Sequence, residues 1–214
     1  MTVKIFMKLF YLKKIKLLTI TLIIHACLIG LDLRNISNLD GWVILQKNPV
    51  KIELSNYKGF PICKAETILN YDLESIASTI QNLDNYPNIF KRITKARRVK
   101  NNIVHIVLDM PFPFSGRDYI IKYTINKNHD SWIFSFSAVD NPDVELIDGH
   151  VRLPNAAGIW ILNSLSSKKT NIIYAWNGEL LGNFPDFGLE KAWITQGTEV
   201  LVWLDQSLSN KLKP

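Results

Sequence analysis

Apolar and polar residues first alternate along Val50-Lys-Ile-Glu-Leu54, and again over Lys64 to Asn70, which is the two-residue period of half-buried strands. The period then lengthens. Over Asp72 to Asp84, Leu73, Ile76, Ala77, Ile80 and Leu83 fall on one helical face, and Asp72 stands at the N-cap position. From Ile103 onward the pattern returns to strands: Val104 to Leu108, Tyr119 to Ile125, Trp132 to Phe136, Gly158 to Leu162 and Ile172 to Trp176. Clusters of Pro, Gly, Asn, Asp and Ser separate them. Asp186 to Leu208 contains no proline and carries Phe187, Ile194, Leu201, Leu204 and Leu208 near helical spacing, which predicts the longest helix. Before the first strand, Asp32 to Leu39 reads as a linker and Gly41 to Gln46 as the opening of a short helix.

Hairpin spacing of about seven strands predicts an antiparallel sheet, and a long amphipathic helix must bury its stripe against that sheet's concave face. The fold class is α+β, with the curved sheet wrapped around the C-terminal helix. Strand parity puts Val104, Ile106 and Leu108 on one face, and Tyr119, Ile121, Tyr123 and Ile125 together on the next strand. Trp132, Phe134 and Phe136 alternate with serines, and Trp160, Trp176, Ile194 and Leu201 complete the inward set. These side chains either fill a solid core or line an internal hydrophobic cavity; periodicity fits both.

The formal charge of +6 suggests an acidic partner until its location is considered. Lys4, Lys8, Lys13, Lys14 and Lys16 carry five of those charges, and the rest holds 20 basic against 19 acidic residues. Such balance removes the compositional case for nucleic-acid binding. The basic start runs into 15 uncharged residues, Leu17 to Leu31. That is shorter than the roughly 20 residues of a spanning helix and suits a signal-peptide core. Residues 1–31 are therefore expected to direct export to a bacterial cell envelope or beyond. Ile24-His-Ala-Cys27 ends the run like a lipoprotein cleavage box, although His25 departs from that pattern. Lipidation of Cys27, cleavage nearby and retention as a short anchor all remain open. Cys63 then has no partner and reads as a small buried hydrophobe.

Met110-Pro-Phe-Pro-Phe-Ser-Gly-Arg-Asp-Tyr119 resembles the proline-aromatic-proline turn and Arg-Asp strand start of START domains. Asn85-Tyr-Pro-Asn-Ile-Phe90, Val151-Arg152, Gly158-Ile-Trp160, Thr170 to Tyr174 and Gly182-Asn-Phe-Pro185 are similar to further landmarks in the same order. The resemblance spans residues 40–211. It implies a helix-grip fold of the START and birch-pollen-allergen-like type, holding a sterol, phospholipid or other lipid, with the last helix and a neighbouring loop as gate. It also implies transient membrane contact, no cofactor and no metal. Some members carry a buried acid and arginine inside the tunnel; those positions here read Val104 and Tyr123, which leaves the Tyr123 phenol to orient a ligand.

Arg117 and Asp118 read either as ligand chemistry or as a tie between loop and sheet. Arg152 has the same two readings: a grip on a headgroup, or a pair with Asp148 or Glu145. The basic run Lys91 to Lys100 and the acidic run Asp140 to Asp148 are solvated faces, or a headgroup-docking strip and a gate. His105, His129 and His150 lie on separate elements without metal-ligand spacing, and His105 faces away from the Val104 side as a surface or satisfied histidine. No Gly-x-Ser-x-Gly elbow or phosphate-cradling loop is present. Binding is thus favoured over catalysis. The alternatives are a polyketide cyclase or dehydratase working through cavity polar groups, and an envelope interaction protein without a ligand.

Overall fold

β-Branched and aromatic residues at every second position make the chain mainly a sheet. The computed structural model describes residues 31–211. Among them the strands are β1 Val43–Gln46, β2 Lys51–Tyr57, β3 Phe60–Leu69, β4 Ile93–Lys100, β5 Ile103–Leu108, β6 Gly116–Lys127, β7 Ser131–Ala138, β8 His150–Arg152, β9 Ala157–Ser166 and β10 Lys169–Asn177. The helices are α1 Leu73–Gln81, α2 Tyr86–Ile89 and α3 Leu189–Lys211. The sheet runs β1-β2-β3-β10-β9-β7-β6-β5-β4, curved and unclosed. Every neighbouring pair whose register is described is antiparallel except one. That exception is β8, which lies parallel to Gly116–Asp118 of β6 and departs from the all-antiparallel expectation. It occupies the stretch of β6 that β7, pairing only from Ile121 onward, does not reach.

The concave face carries the larger core. Ile52, Cys63, Ala65, Val104, Ile121 and Leu162 pack there with Ile76, Ala77 and Ile80 of α1 and with Trp193, Leu201, Leu204 and Leu208 of α3. Asp72 caps α1 as its position predicts, accepting a hydrogen bond from the Ser75 N–H at 2.8 Å. Gly197 lets α3 lie close against the sheet: a Cβ there would come within 2.6 Å of Ile52 Cδ1 and 2.9 Å of the Trp176 ring.

Several sequence expectations are corrected. Residues 31–39 are a packed strap and not a linker, because Leu31, Leu33 and Ile36 bury themselves on the convex face against Ile62, Ala157, Ile159 and Ala175. Gly41–Gln46 enters a strand, not a helix, since pairing with β2 uses the extended preference of Val43 and Ile44. The basic run keeps its reading as a solvated face, on edge strand β4, where charged side chains discourage further strand pairing. α3 starts at Leu189 after a single 3-10 turn, so Phe187 stands off the helix stripe and is 93% exposed. The basic start, the apolar run and Cys27 lie outside the described residues.

Candidate functional site

Between the concave face and α3 lies a cavity of about 530 Å³. Ile106, Leu108, Tyr119 and Ile121 form part of its floor, joined by Phe134, Phe136, Trp160, Tyr174 and Trp176 from the next strands. Leu83, Tyr86 and Phe90 close one end, and Met110, Pro111, Phe114, Phe184 and Phe187 belong to the rim. Two features shape the floor. A Cβ at Gly158 would meet the Phe136 ring at 2.3 Å, so glycine is what lets that ring lie across the strand. Tyr174 stacks between Trp160 at 4.3 Å and Trp176 at 5.0 Å, fixing an aromatic row.

The roof differs from the apolar one that the helix stripe predicts. Trp193, Gly197, Leu201, Leu204 and Leu208 are consumed by packing on the sheet. The stripe left over the cavity includes Lys191, Thr195, Gln196, Glu199, Val200 and Trp203, spaced by three and four residues. Glu199 is held by Arg92 through two hydrogen bonds of 2.6 and 2.9 Å, which tie the start of β4 to α3 beside the cavity.

Eight of the twelve residues expected to line a cavity do so: Ile106, Leu108, Tyr119, Ile121, Phe134, Phe136, Trp160 and Trp176. Four do not. Val104 is fully buried in the core, and Leu201 and Ile194 pack toward the sheet for the reason just given. Tyr123 has inward parity but sits too far along β6. Its ring stacks on Phe134 at 5.2 Å, and its hydroxyl accepts from Arg98 at 2.8 Å and donates to the Asn101 carbonyl at 3.3 Å. The phenol is therefore not available to a ligand in the cavity. Tyr174, which shares the parity of Trp176, lines the cavity as well. Phe90 and Arg92 carry no periodic signal, because a short helix and a strand start place them.

Arg117 lines the rim, but its guanidinium donates to the carbonyls of Leu180 at 2.7 Å, Leu181 at 3.0 Å and Ser115. It is the tie between loop and sheet, not a free grip. Asp118 and Arg152 lie on the opposite face. Arg152 pairs with Asp118 at 2.7 Å and donates to the Glu145 backbone carbonyl, replacing the expected pairing with the Asp148 or Glu145 carboxylates. His105 donates Nε2–H to the Asp118 carboxylate at 2.8 Å, a satisfied and buried histidine. Burial alone would raise the Asp118 carboxyl pKa, but hydrogen bonds from Arg152 and His105 outweigh it and hold the group below its ordinary value. Burial pushes His105 below its ordinary value, aided by the charges of Arg152 and Arg97 and opposed by Asp118. Burial raises the Cys63 thiol far above its usual range, so it is inert. Among the described residues no group of His, Cys, Asp and Glu is arranged to hold a metal.

No family model matches the chain. An uncharacterized protein of Pseudomonas aeruginosa is 29% identical over 80 residues, 37% of this chain and 40% of that protein, so the match spans less than half of the relative's length. Solved structures are more informative. The human StAR-related lipid transfer protein 5 superposes with a TM-score of 0.74 at 15% identity, covering 85% of this chain and 92% of that one. The STAR-related lipid transfer protein of Xanthomonas axonopodis gives 0.67 at 20% identity, covering 79% of this chain and 99% of that one. The chain has a START-like helix-grip fold. Its likeness extends to an aromatase/cyclase of a Streptomyces species, with a TM-score of 0.52 at 8% identity over 71% of this chain and 95% of that one. The START-like fold thus hosts both lipid-transfer proteins and cyclases, and the choice rests on the cavity itself.

Proposed function

We propose that this START-like protein is a lipid-binding or lipid-transfer protein that encloses one hydrophobic small molecule, without catalysis. The observation carrying this reading is the 530 Å³ cavity with its aromatic floor, a size within the range of small-molecule sites. Two exposed phenylalanines mark its mouth: Phe187 on the rim, 93% exposed, and Phe112, 97% exposed, in the rim loop that also holds Pro111 and Phe114. We propose that they touch a membrane transiently while the ligand passes, since exposed apolar rings gain by entering the headgroup–acyl boundary. The segment before the packed Leu31 is read as an export signal, which would place the carrier in a bacterial envelope, with Cys27 as a lipid attachment point.

Protein purified from its native cells and examined by native mass spectrometry should carry a stoichiometric lipid. Return of an altered polyketide after incubation would instead establish the cyclase reading, and an empty protein that takes up no lipid would reject the carrier.

A further inference from the structure

A buried charge is normally matched by an opposite one, because taking it out of water unpaired is costly. Glu53 and Asp118 follow this rule: Glu53 lies 2.9 Å from both Lys51 and Lys64, and Asp118 lies 2.7 Å from Arg152. Arg117 does not. It is 2% exposed, and among the described residues no carboxylate pairs with it. Its donors go to backbone carbonyls instead, Nε–H to Leu180, Nη1–H to Ser115 and Nη2–H to Leu181. Carbonyl dipoles satisfy those donors without cancelling a full charge, and the second N–H of Nη2 has no partner among the described residues. Burial pulls the guanidinium pKa below its ordinary value, as it does for a charge without a counterion.

A second cleft, of about 290 Å³, opens beside this side chain and shares only Phe114 and Arg117 with the main cavity. Nη2 stands on its side. A Cβ at Gly182, another residue of the cleft, would come within 3.7 Å of Nη2, and glycine at φ 63° leaves that space clear. Ser115 and Asn183, both exposed, bring a hydroxyl and a carboxamide to the same cleft. Pro113 and Val151 give it apolar walls, and among the described residues no acidic one lines it. Low-dielectric walls strengthen the field of the one charge they surround.

We propose that this cleft binds a phosphate-type oxyanion, which accepts hydrogen bonds from the remaining Nη2–H, the Ser115 hydroxyl and the Asn183 amide and supplies the countercharge that Arg117 lacks. Residues 113–115 and 180–183 belong to the two loops that Arg117 ties together, so the bound anion completes that tie beside the cavity's rim. Free phosphate and the phosphate ester of a membrane lipid carry the same chemistry. The site lies outside the main cavity and does not depend on the carrier reading.

Inorganic phosphate titrated into the full chain at constant ionic strength should broaden its phosphorus NMR line saturably. Removing Arg117 would release both loops, so the exposed neighbours are changed instead. Asn183→Asp puts a carboxylate into the cleft, and phosphate should then bind at least about tenfold weaker, a hydrogen bond to a charged group being a factor of roughly 10 to 150. The melting temperature without phosphate should hold or rise, because Arg117 gains its countercharge. Ser115→Ala should weaken phosphate by a smaller factor at an unchanged melting temperature. Phosphatidylcholine vesicles with and without phosphatidate separate the sources: capture by phosphatidate that phosphate competes away and Asn183→Asp abolishes assigns a lipid headgroup, and indifference to phosphatidate assigns a free anion. Absence of a saturable phosphate signal, or equal phosphate affinity in wild type and both variants, overturns the site whether or not the protein takes up a lipid.

Discussion

The two faces of the sheet bury polar groups in opposite ways. On the convex face, Asp118 is fully buried and every part of its carboxylate is used, by Arg152 on β8 and His105 on β5. On the concave face, Tyr119 and Tyr174 line the cavity with hydroxyls that have no hydrogen-bond partner among the described residues, and the Trp176 N–H is buried without an acceptor. Both sets follow from the same alternation: Asp118 and Tyr119 are neighbours on β6 and point to opposite sides. A polar cluster that holds a fold together arrives complete, because an unpaired buried charge is too expensive to keep.

The largest effect separating the two faces should come from Asp118→Ala. It strands Arg152 and leaves His105 without an acceptor, and breaking a buried pair by removing one partner typically costs about 3–5 kcal/mol. Arg152 keeps some solvent contact, which places the loss toward the lower end, as urea unfolding would show. A loss no larger than that of a surface substitution would mean the convex cluster does not hold β5, β6 and β8 together.

Acid should weaken the same face more gently. A buried His105 whose pKa is depressed in the folded state binds fewer protons than in the unfolded chain, so stability falls as pH drops below its ordinary value of 6.5. Asp118, also depressed, adds stability above the ordinary carboxylate value of 3.8 and loses it as pH falls through its folded value. The two windows follow one another and have the same sign. Unfolding free energies should therefore decline from about pH 7 to about pH 5, and His105→Gln should flatten that slope. An unchanged slope in the variant would assign the acid sensitivity elsewhere.

The floor of the cavity was legible because strand parity is a strict period: Phe134, Phe136, Trp160 and Trp176 follow from alternation alone. The roof was not, because α3 has two stripes and the sequence advertises only the apolar one. That stripe, with Leu201 and Leu204, is spent on the sheet at Gly197, and the mixed stripe of Thr195, Gln196 and Glu199 is left over the cavity. The partners of the charged residues were illegible for another reason. Arg152 reaches Asp118 only because β8 runs parallel to β6, a pairing that no local pattern encodes.

The smallest expected effect concerns Tyr123, which sequence parity nominates for the cavity and the structure places at its outside edge. Its hydroxyl belongs to a surface network with Arg98, which also reaches Asp84 at 3.1 Å. Tyr123→Phe keeps the ring stacked on Phe134 and removes only the bonds to Arg98 and Asn101. Surface substitutions of this kind stay within about 0.5 kcal/mol. Affinity for a fluorescent hydrophobe should likewise match wild type, because the hydroxyl is turned to Arg98 and Asn101. Loss of that affinity in Tyr123→Phe, at unchanged melting temperature, would show that the ligand reaches past Phe134 to the end of β6.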